Sequence, residues 1–316
     1  VRTILAQCGP SEYQPNRQKA DTLTPSPSIS SPQNPLIRHV VKLRDNRHRQ
    51  RAGVVLVDGT REISRAIQGG LQLQSLLTTR SEEGRQRHLT GDQDELLGRL
   101  IADAGNLAVT VTDELMAKIA YGGNPRGAVA IFERPQPLAL ERLRLPKNPL
   151  VLILVGVEKP GNAGAIFRSA DAVGVDAVVL CETGCDLFNP NLIRSSLGTV
   201  FTTPTAETGE SETIDWIKER GLTCVSTVVG APQSFWDADY RGPTAIVVGS
   251  EASGLGSHWE ALPTESVSPE SSSGVGSPRS VAVSIPMRGA ADSLNVSVAA
   301  AVLLFEAGRQ RRPRGG

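Results

Sequence analysis

The run Leu150–Val155 reads Leu-Val-Leu-Ile-Leu-Val and contains no polar position. A strand with one wet face alternates apolar and polar residues, whereas an unbroken apolar strand is covered on both faces, as in a parallel sheet flanked by helices. Further strands are expected at Ala177–Leu180, Thr223–Val228, Thr244–Val248 and Val281–Ile285, and helices over residues 163–173, 189–197, 211–219 and 293–308. Strands that alternate with helices predict an α/β fold with a parallel sheet.

A smaller α/β series precedes it. Strands are expected at Val54–Val57, Leu73–Thr78, Leu107–Val111 and Ala128–Phe132, separated by helices at Arg61–Gln68, Asp94–Ala104 and Asp113–Ala120. At 316 residues the chain has room for both domains and ample apolar burial. Residues 1–34 are polar and rich in Ser, Pro and Gln, and such a segment is expected to remain a flexible arm. The first domain then spans 35–133 and the second 150–316, joined by a linker at 134–149 that is rich in proline. A Ser-rich stretch at 263–280 is expected to be a solvated loop insertion within the second domain.

Composition excludes more than it selects. Thirty-three Lys and Arg cancel thirty-three Asp and Glu, so net charge gives no support for nucleic-acid binding and any such signal must be local. The local signal is the segment Ile37–Arg51, where Arg38, Lys42, Arg44, Arg47, Arg49 and Arg51 face a single acid, Asp45. It is either a solvated helical face or a phosphate-binding surface. A second basic cluster, Arg309, Arg311, Arg312 and Arg314, closes the chain. Aromatic residues are few, which disfavours extended base stacking on any nucleic acid. Cys8, Cys181, Cys185 and Cys224 lack zinc-ligand spacing and read as reduced thiols, so the expected compartment is the cytoplasm and no metal is expected. The opening Val1–Cys8 resembles a lipoprotein cleavage box, but its apolar stretch is too short, and no run is long enough to span a membrane.

Three short segments of the second domain place glycines and small polar residues where a strand ends or a helix begins. They are Asn162-Ala-Gly-Ala-Ile-Phe-Arg168-Ser-Ala170, then Val248-Gly249-Ser250-Glu251-Ala-Ser-Gly254-Leu255, then Ile285-Pro286-Met287-Arg-Gly289 followed by Ser293-Leu294-Asn295-Val296-Ser297. Asn162 is expected near a helix N-cap. Gly249-Ser250-Glu251 ends an apolar strand, and in parallel sheets ligands bind at the carboxyl ends of strands. The spacing Gly249-x4-Gly254 matches the start of a phosphate loop, but Leu255 stands where the lysine is required, and no G-x-G-x-x-G follows a strand. Ser293 reads as the start of the final helix, whose apolar character implies burial. Asn295 is then polar near the start of a buried helix and needs a partner.

Taken together and in this order, the three segments resemble the three motifs of the SpoU (TrmH-type) RNA ribose methyltransferases of the SPOUT superfamily. Arg194-Ser-Ser-Leu-Gly198-Thr-Val-Phe201 and, in the first domain, Asn34-Pro-Leu-Ile-Arg38 through Val57-Asp58-Gly59-Thr60-Arg61-Glu62 extend the likeness over roughly residues 34–310. The resemblance implies a knotted parallel-sheet SPOUT methyltransferase domain with a deep trefoil knot, behind a smaller α/β substrate-binding domain similar to ribosomal protein L30e. It implies S-adenosylmethionine as cofactor, held around Thr227, Gly249, Glu251, Ile285, Met287 and Leu294. It also implies Asn162, Arg168, Glu251, Ser293 and Asn295 as catalytic positions, a homodimer, and 2′-O-methylation of structured RNA, foremost 23S ribosomal RNA, with Arg38 to Arg51 as the RNA contact. A transfer-RNA methyltransferase and a catalytically inactive RNA-binding relative are the alternatives. The four histidines lie outside the matched segments, so no conventional base is present there. The family often has glycine where this chain has Ala252, a change expected to shift the loop's shape.

Overall fold

The computed structural model describes residues 28–79, 89–250, 254–256, 259 and 280–312. Within these, the first domain holds strands β1 (Ser28–Ile29), β2 (Val54–Asp58), β3 (Leu73–Thr79), β4 (Ala108–Val111) and β5 (Ala128–Glu133). They form one sheet in the order β1-β4-β3-β5-β2, with β1, β4 and β3 parallel and β5 antiparallel to both its neighbours. Helices α1 (Pro35–Lys42), α2 (Asn46–Ala52), α3 (Thr60–Gln68), α4 (Gly91–Ala104) and α5 (Asp113–Ile119) accompany it. The basic segment is thus two short helices. Asn34 starts the first by accepting from the Leu36 N–H at 2.9 Å, with Pro35 at the opening position. Asp45 starts the second by accepting from the His48 N–H at 3.1 Å. Strand β1 falls inside the segment expected to be a flexible arm: Ser28 and Ile29 pair in parallel with Thr110 and Val111. Two residues carry no period to read, so this edge strand left no trace in the pattern.

The second sheet comprises β6 (Leu150–Val155), β7 (Ala177–Cys181), β8 (Thr205–Thr208), β9 (Thr223–Thr227), β10 (Gln233–Ser234), β11 (Thr244–Val248) and β12 (Ser280–Ser284). Every described pairing is parallel, in the order β10-β12-β9-β11-β6-β7-β8. All residues of β6, β7 and β11 are buried, as the unbroken apolar runs require. Helices α6 (Pro160–Val173), α7 (Pro190–Ser195), α8 (Glu210–Glu219) and α9 (Val296–Arg311) complete the domain. Only Ala206 of β8 is buried, and so short an edge strand is silent in the sequence.

Two expectations about α9 are corrected. The helix begins at Val296, and its N-cap is Asn295, whose Oδ1 accepts from the Ser297 N–H at 3.0 Å; Ser293 lies outside the helix. It is also buried on one face only: Val296, Ala300, Leu303, Leu304 and Ala307 are inside, while Val298 and Phe305 are 47% and 55% exposed. Apolar residues on all sides of a helix do not reveal which side the protein covers.

The two domains share one apolar core. Val55, Val57 and Ile63 of the first belong to the same buried cluster as Phe188, Val200 and Phe201 of the second. The linker packs as well: Leu140 and Leu143 are buried against Ala177 and Val179, and Leu138 bridges to Ala206. A buried ion cluster pins the same junction. Arg49 Nη2 donates to Asp186 Oδ2 at 2.7 Å, and Arg134 Nη2 donates to Asp186 Oδ1 at 3.1 Å. The first domain is therefore held against the second by packing and by charge.

Candidate functional site

The sheet order puts the expected site residues on one edge. The first motif follows β6, the second follows β11, Thr227 ends β9, and the third motif follows β12. In the sheet these four strands are neighbours, in the order β12-β9-β11-β6, and all run parallel. Their carboxyl ends consequently form one continuous rim, the place where open parallel sheets bind ligands.

At the β6 end of the rim the first and third motifs touch. Asn295 Nδ2 donates to Asn162 Oδ1 at 3.4 Å, across 133 residues of sequence. Asn162 is not the N-cap of its helix: that position is Lys159, and Asn162 sits inside the first turn of α6. Its side chain is thereby aimed across to the start of α9. Asn295 is held from the other side by Ser297, whose hydroxyl donates to Asn295 Oδ1 at 2.6 Å. The amide expected to need a partner thus caps α9 and reaches Asn162. The glycine within the first motif has a packing reason. A Cβ on Gly164 would lie 1.9 Å from Ser195 Oγ and 2.6 Å from the Leu192 carbonyl oxygen, so only glycine lets α6 cross α7 this closely.

Toward β12 the rim opens into a cleft of about 310 Å³. Thr227, Ile285, Met287, Ser293 and Leu294 line it, so four of the six expected cofactor positions and one expected catalytic residue share a single concavity. Sequence reasoning missed Val228, Gly230 and Asp292 in the same wall. Gly230 has a positive φ just past β9, a turn that a lone glycine only hinted at. Polar side chains brace the cleft: Thr227 Oγ1 donates to the Val247 carbonyl at 2.9 Å, and Ser284 Oγ to the Ala231 carbonyl at 2.8 Å. Both tie strand ends together and hold the loop backbone in place.

Gly249 is not part of that wall. A Cβ there would meet the Gly254 carbonyl oxygen at 2.3 Å, because the second motif folds back on itself with the Gly254 N–H donating to the Ser250 carbonyl at 3.0 Å. Glu251 and Ala252, and with them the expected change in loop shape, lie outside the described residues, as does the stretch 263–279. Arg168 is exposed on α6, and no hydrogen bond or ion pair joins it to another described residue.

The basic helices divide into two kinds. Arg38, Lys42, Arg47 and Arg51 are exposed. Arg49 is 1% exposed and engaged with the Leu43 and Arg44 carbonyls, both at 2.9 Å, as well as with Asp186; it cannot turn outward to a ligand without breaking the domain junction. Arg44 binds the Lys118 and Ala120 carbonyls through Nη2. In the C-terminal cluster Arg309 pairs with Glu306, and Arg311 clasps the carbonyls of Tyr240, Asn148, Pro149 and Gly242, so two of its arginines have structural roles.

Comparison with known proteins assigns the chain to a family. Residues 149–305 match the SpoU rRNA Methylase family, and residues 34–130 match the MRM3-like substrate binding domain. The 23S rRNA (uridine(2479)-2′-O)-methyltransferase of Streptomyces viridochromogenes is 31% identical over 295 residues, covering 91% of this chain and 94% of that protein. A crystal structure of an RNA 2′-O ribose methyltransferase superposes with a TM-score of 0.72 at 38% identity, covering 90% of this chain and 99% of the other. The SpoU methyltransferase AviRb from Streptomyces viridochromogenes, in complex with AdoMet, gives 0.69 at 29% identity over 88% of this chain and 98% of its own. The chain belongs to the SpoU rRNA methylase family.

Proposed function

We propose that this protein transfers a methyl group from S-adenosylmethionine to a ribose 2′-hydroxyl of 23S ribosomal RNA. The observation that carries the reading is the rim itself: four neighbouring parallel strands bring a cleft and the Asn162–Asn295 pair to one edge. The residues present suit the cofactor. Apolar side chains and loop backbone around Val228–Gly230 and Ile285–Met287 accept an adenosine, and Asp292 adds a carboxylate for an ammonium group. When bound, the cofactor supplies an electrophilic methyl on a sulfonium.

The protein's own contribution is alignment and exclusion of water. Asn162 and Asn295 hold each other and so fix the approach of the ribose between α6 and α9. Arg168, exposed and without a partner among the described residues, grips a phosphate and orients the 2′-hydroxyl. A guanidinium stays protonated at any physiological pH, so the proton passes to a phosphate oxygen or water. Arg38, Lys42, Arg47 and Arg51 supply phosphate contacts from the substrate domain, residues 35–133.

The same reading includes a trefoil-knotted path for the second domain, an L30e-like first domain and a cytoplasmic homodimer. The exposed Val298 and Phe305 of α9, a helix packed on α6, support a partner surface beside the site. Among the described residues no helix is long and apolar enough to cross a membrane. The test is incubation with methyl-labelled S-adenosylmethionine and deproteinised ribosomal RNA, followed by mapping of the label. Label on one ribose of 23S RNA is expected; bound RNA with no label refutes the activity and favours an inactive RNA-binding relative.

A further inference from the structure

The junction of the two domains carries three arginines that neither the basic helices nor the first motif accounts for. Arg61 lies in the first turn of α3, Arg126 just before β5, and Arg194 on α7. The Arg126 carbonyl accepts from the Thr60 N–H at 3.2 Å, which seats that residue against the start of α3. Glu62 gathers the first two side chains: its Oε1 accepts from Arg61 Nη2 at 3.3 Å and lies 3.8 Å from Arg126 Nη1. Asp58 stands beside the second and third. Burial pushes its carboxyl up to about 6, against the Tyr121 N–H and the charges of Arg194 and Arg126. The same loop ties them together, since Asp58 Oδ2 accepts from the Tyr121 N–H at 2.5 Å and Arg194 Nη1 donates to the Tyr121 carbonyl at 3.3 Å.

The acids are inside and the cations outside. Glu62 is 1% exposed, and Asp58 Oδ1 is shielded from solvent. The Arg61 and Arg126 side chains are 39% and 35% exposed, and Arg194 is half-buried. Solvent therefore meets the positive groups, while the carboxylates beneath fix where they stand. Among the described residues Arg61 and Arg194 each donate one hydrogen bond, and Arg126 makes only the longer ion pair. A guanidinium carries five N–H groups, so most of the donors are unspent. Guanidinium forks match phosphate oxygens, and forks already held in place lose little freedom on binding them.

The cluster is also tied to the reaction site. Arg65, one turn after Arg61, donates to the Leu197 carbonyl at 2.7 Å, and a Cβ on Gly198 would lie 3.0 Å from Glu62 Cα. Ser195, next to Arg194, lies against Gly164 of α6, two residues from Asn162. Helix α7 follows β7, the neighbour of β6 in the sheet, so the cluster adjoins the rim at the first motif.

From these three guanidinium groups over their buried acids, we infer that Arg61, Arg126 and Arg194 clamp the sugar–phosphate backbone of the RNA at the domain junction, a contact distinct from that of α1 and α2. The inference rests on the protein acting on RNA as proposed above. Phosphates carry no sequence, so the clamp positions the RNA across both domains and reads no base.

The test measures the affinity of the full chain, without cofactor, for deproteinised 23S ribosomal RNA over a salt series. Arg61→Gln, Arg126→Gln and Arg194→Gln should each weaken binding at least about threefold and lower the slope of log affinity against log salt by about one. Each of the first two leaves Glu62 the other arginine, so the fold is kept, and circular dichroism checks it. Arg126→Lys keeps the charge; it should hold the wild-type slope and recover only part of the affinity, a split that a purely structural role would not produce. Arg241→Gln is the control. That exposed arginine pairs with Asp239 before the amino end of β11, away from the rim, and its loss should leave the slope unchanged. Wild-type slopes in the three glutamine variants overturn the inference, as does an equal drop in Arg241→Gln. Methyl transfer is measured separately. Transfer with unaltered slopes in the variants refutes only the clamp, and lowered slopes without transfer in the wild type refute only the proposed activity.

Discussion

Replacing Arg49 by alanine should destabilise the whole protein, although Arg49 lies in the middle of a basic segment. Its guanidinium satisfies Asp186 and the carbonyls of Leu43 and Arg44, and it is 1% exposed. Breaking one side of a buried ion pair costs about 3–5 kcal/mol. Asp186 keeps Arg134 at 3.1 Å and the Phe188 N–H at 3.2 Å, which places the loss near the lower end, about 3 kcal/mol. At roughly 2 °C per kcal/mol for a chain of this length, the melting temperature should fall by about 6 °C. Thermal melts followed by circular dichroism measure this directly, and Arg47→Ala is the control. Arg47 is exposed, so its loss should leave the melt within about 1 °C. It should instead lower the slope of log affinity for RNA against log salt by about one. Equal melting shifts in the two variants, or an Arg49→Ala protein as stable as wild type with a reduced salt slope, would refute the division of the segment into structural and RNA-facing arginines.

Three further outcomes follow from the geometry. The Asp58 carboxyl holds its proton up to about pH 6 in the folded protein against 3.8 in the unfolded chain. The folded state therefore binds more protons across that window, and this group's contribution to stability falls as pH rises from about 4 to 6. The loss reaches up to about 3 kcal/mol at pH 7. Urea titrations should show Asp58→Asn lacking this dependence and more stable than wild type at pH 7; a less stable variant there would contradict the burial argument. Gly164→Ala places a Cβ against the Leu192 carbonyl and Ser195 Oγ, so α6 and α7 must separate. A stability loss of about 1–3 kcal/mol by urea titration is expected, and an unchanged stability would refute so close a crossing. Arg168→Lys keeps the charge but loses the planar fork, so methyl transfer should drop by about tenfold or more while cofactor affinity by calorimetry is unchanged. Near-normal turnover would remove Arg168 from the orienting role.

Local pattern was enough for much of the architecture. Unbroken apolar runs such as Leu150–Val155 and Ala245–Val248 report a strand covered on both faces, because burial acts on each residue where it stands. The glycines and amides at strand ends likewise marked three loops as places where chemistry could sit. Position within an element was harder. Asn162 sits inside the first turn of α6, and Asn295, not Ser293, caps α9, because helix ends depend on which backbone groups find partners. Short edge strands such as β8 carried no period.

What the sequence determined by itself was the α/β class, the two series of elements and the residue types available at each strand end. The tertiary structure alone decided which of those ends meet. Strand order places β9 and β11 between β12 and β6, which sets the third motif around a cleft with Thr227 and brings Asn295 to Asn162. It also withdrew Arg49 from the surface, because its partner Asp186 lies 137 residues away. Hydrophobic periodicity records the solvent exposure of single elements, whereas these pairings depend on how the sheet is wound. Nothing in a residue's neighbours along the chain carries that information.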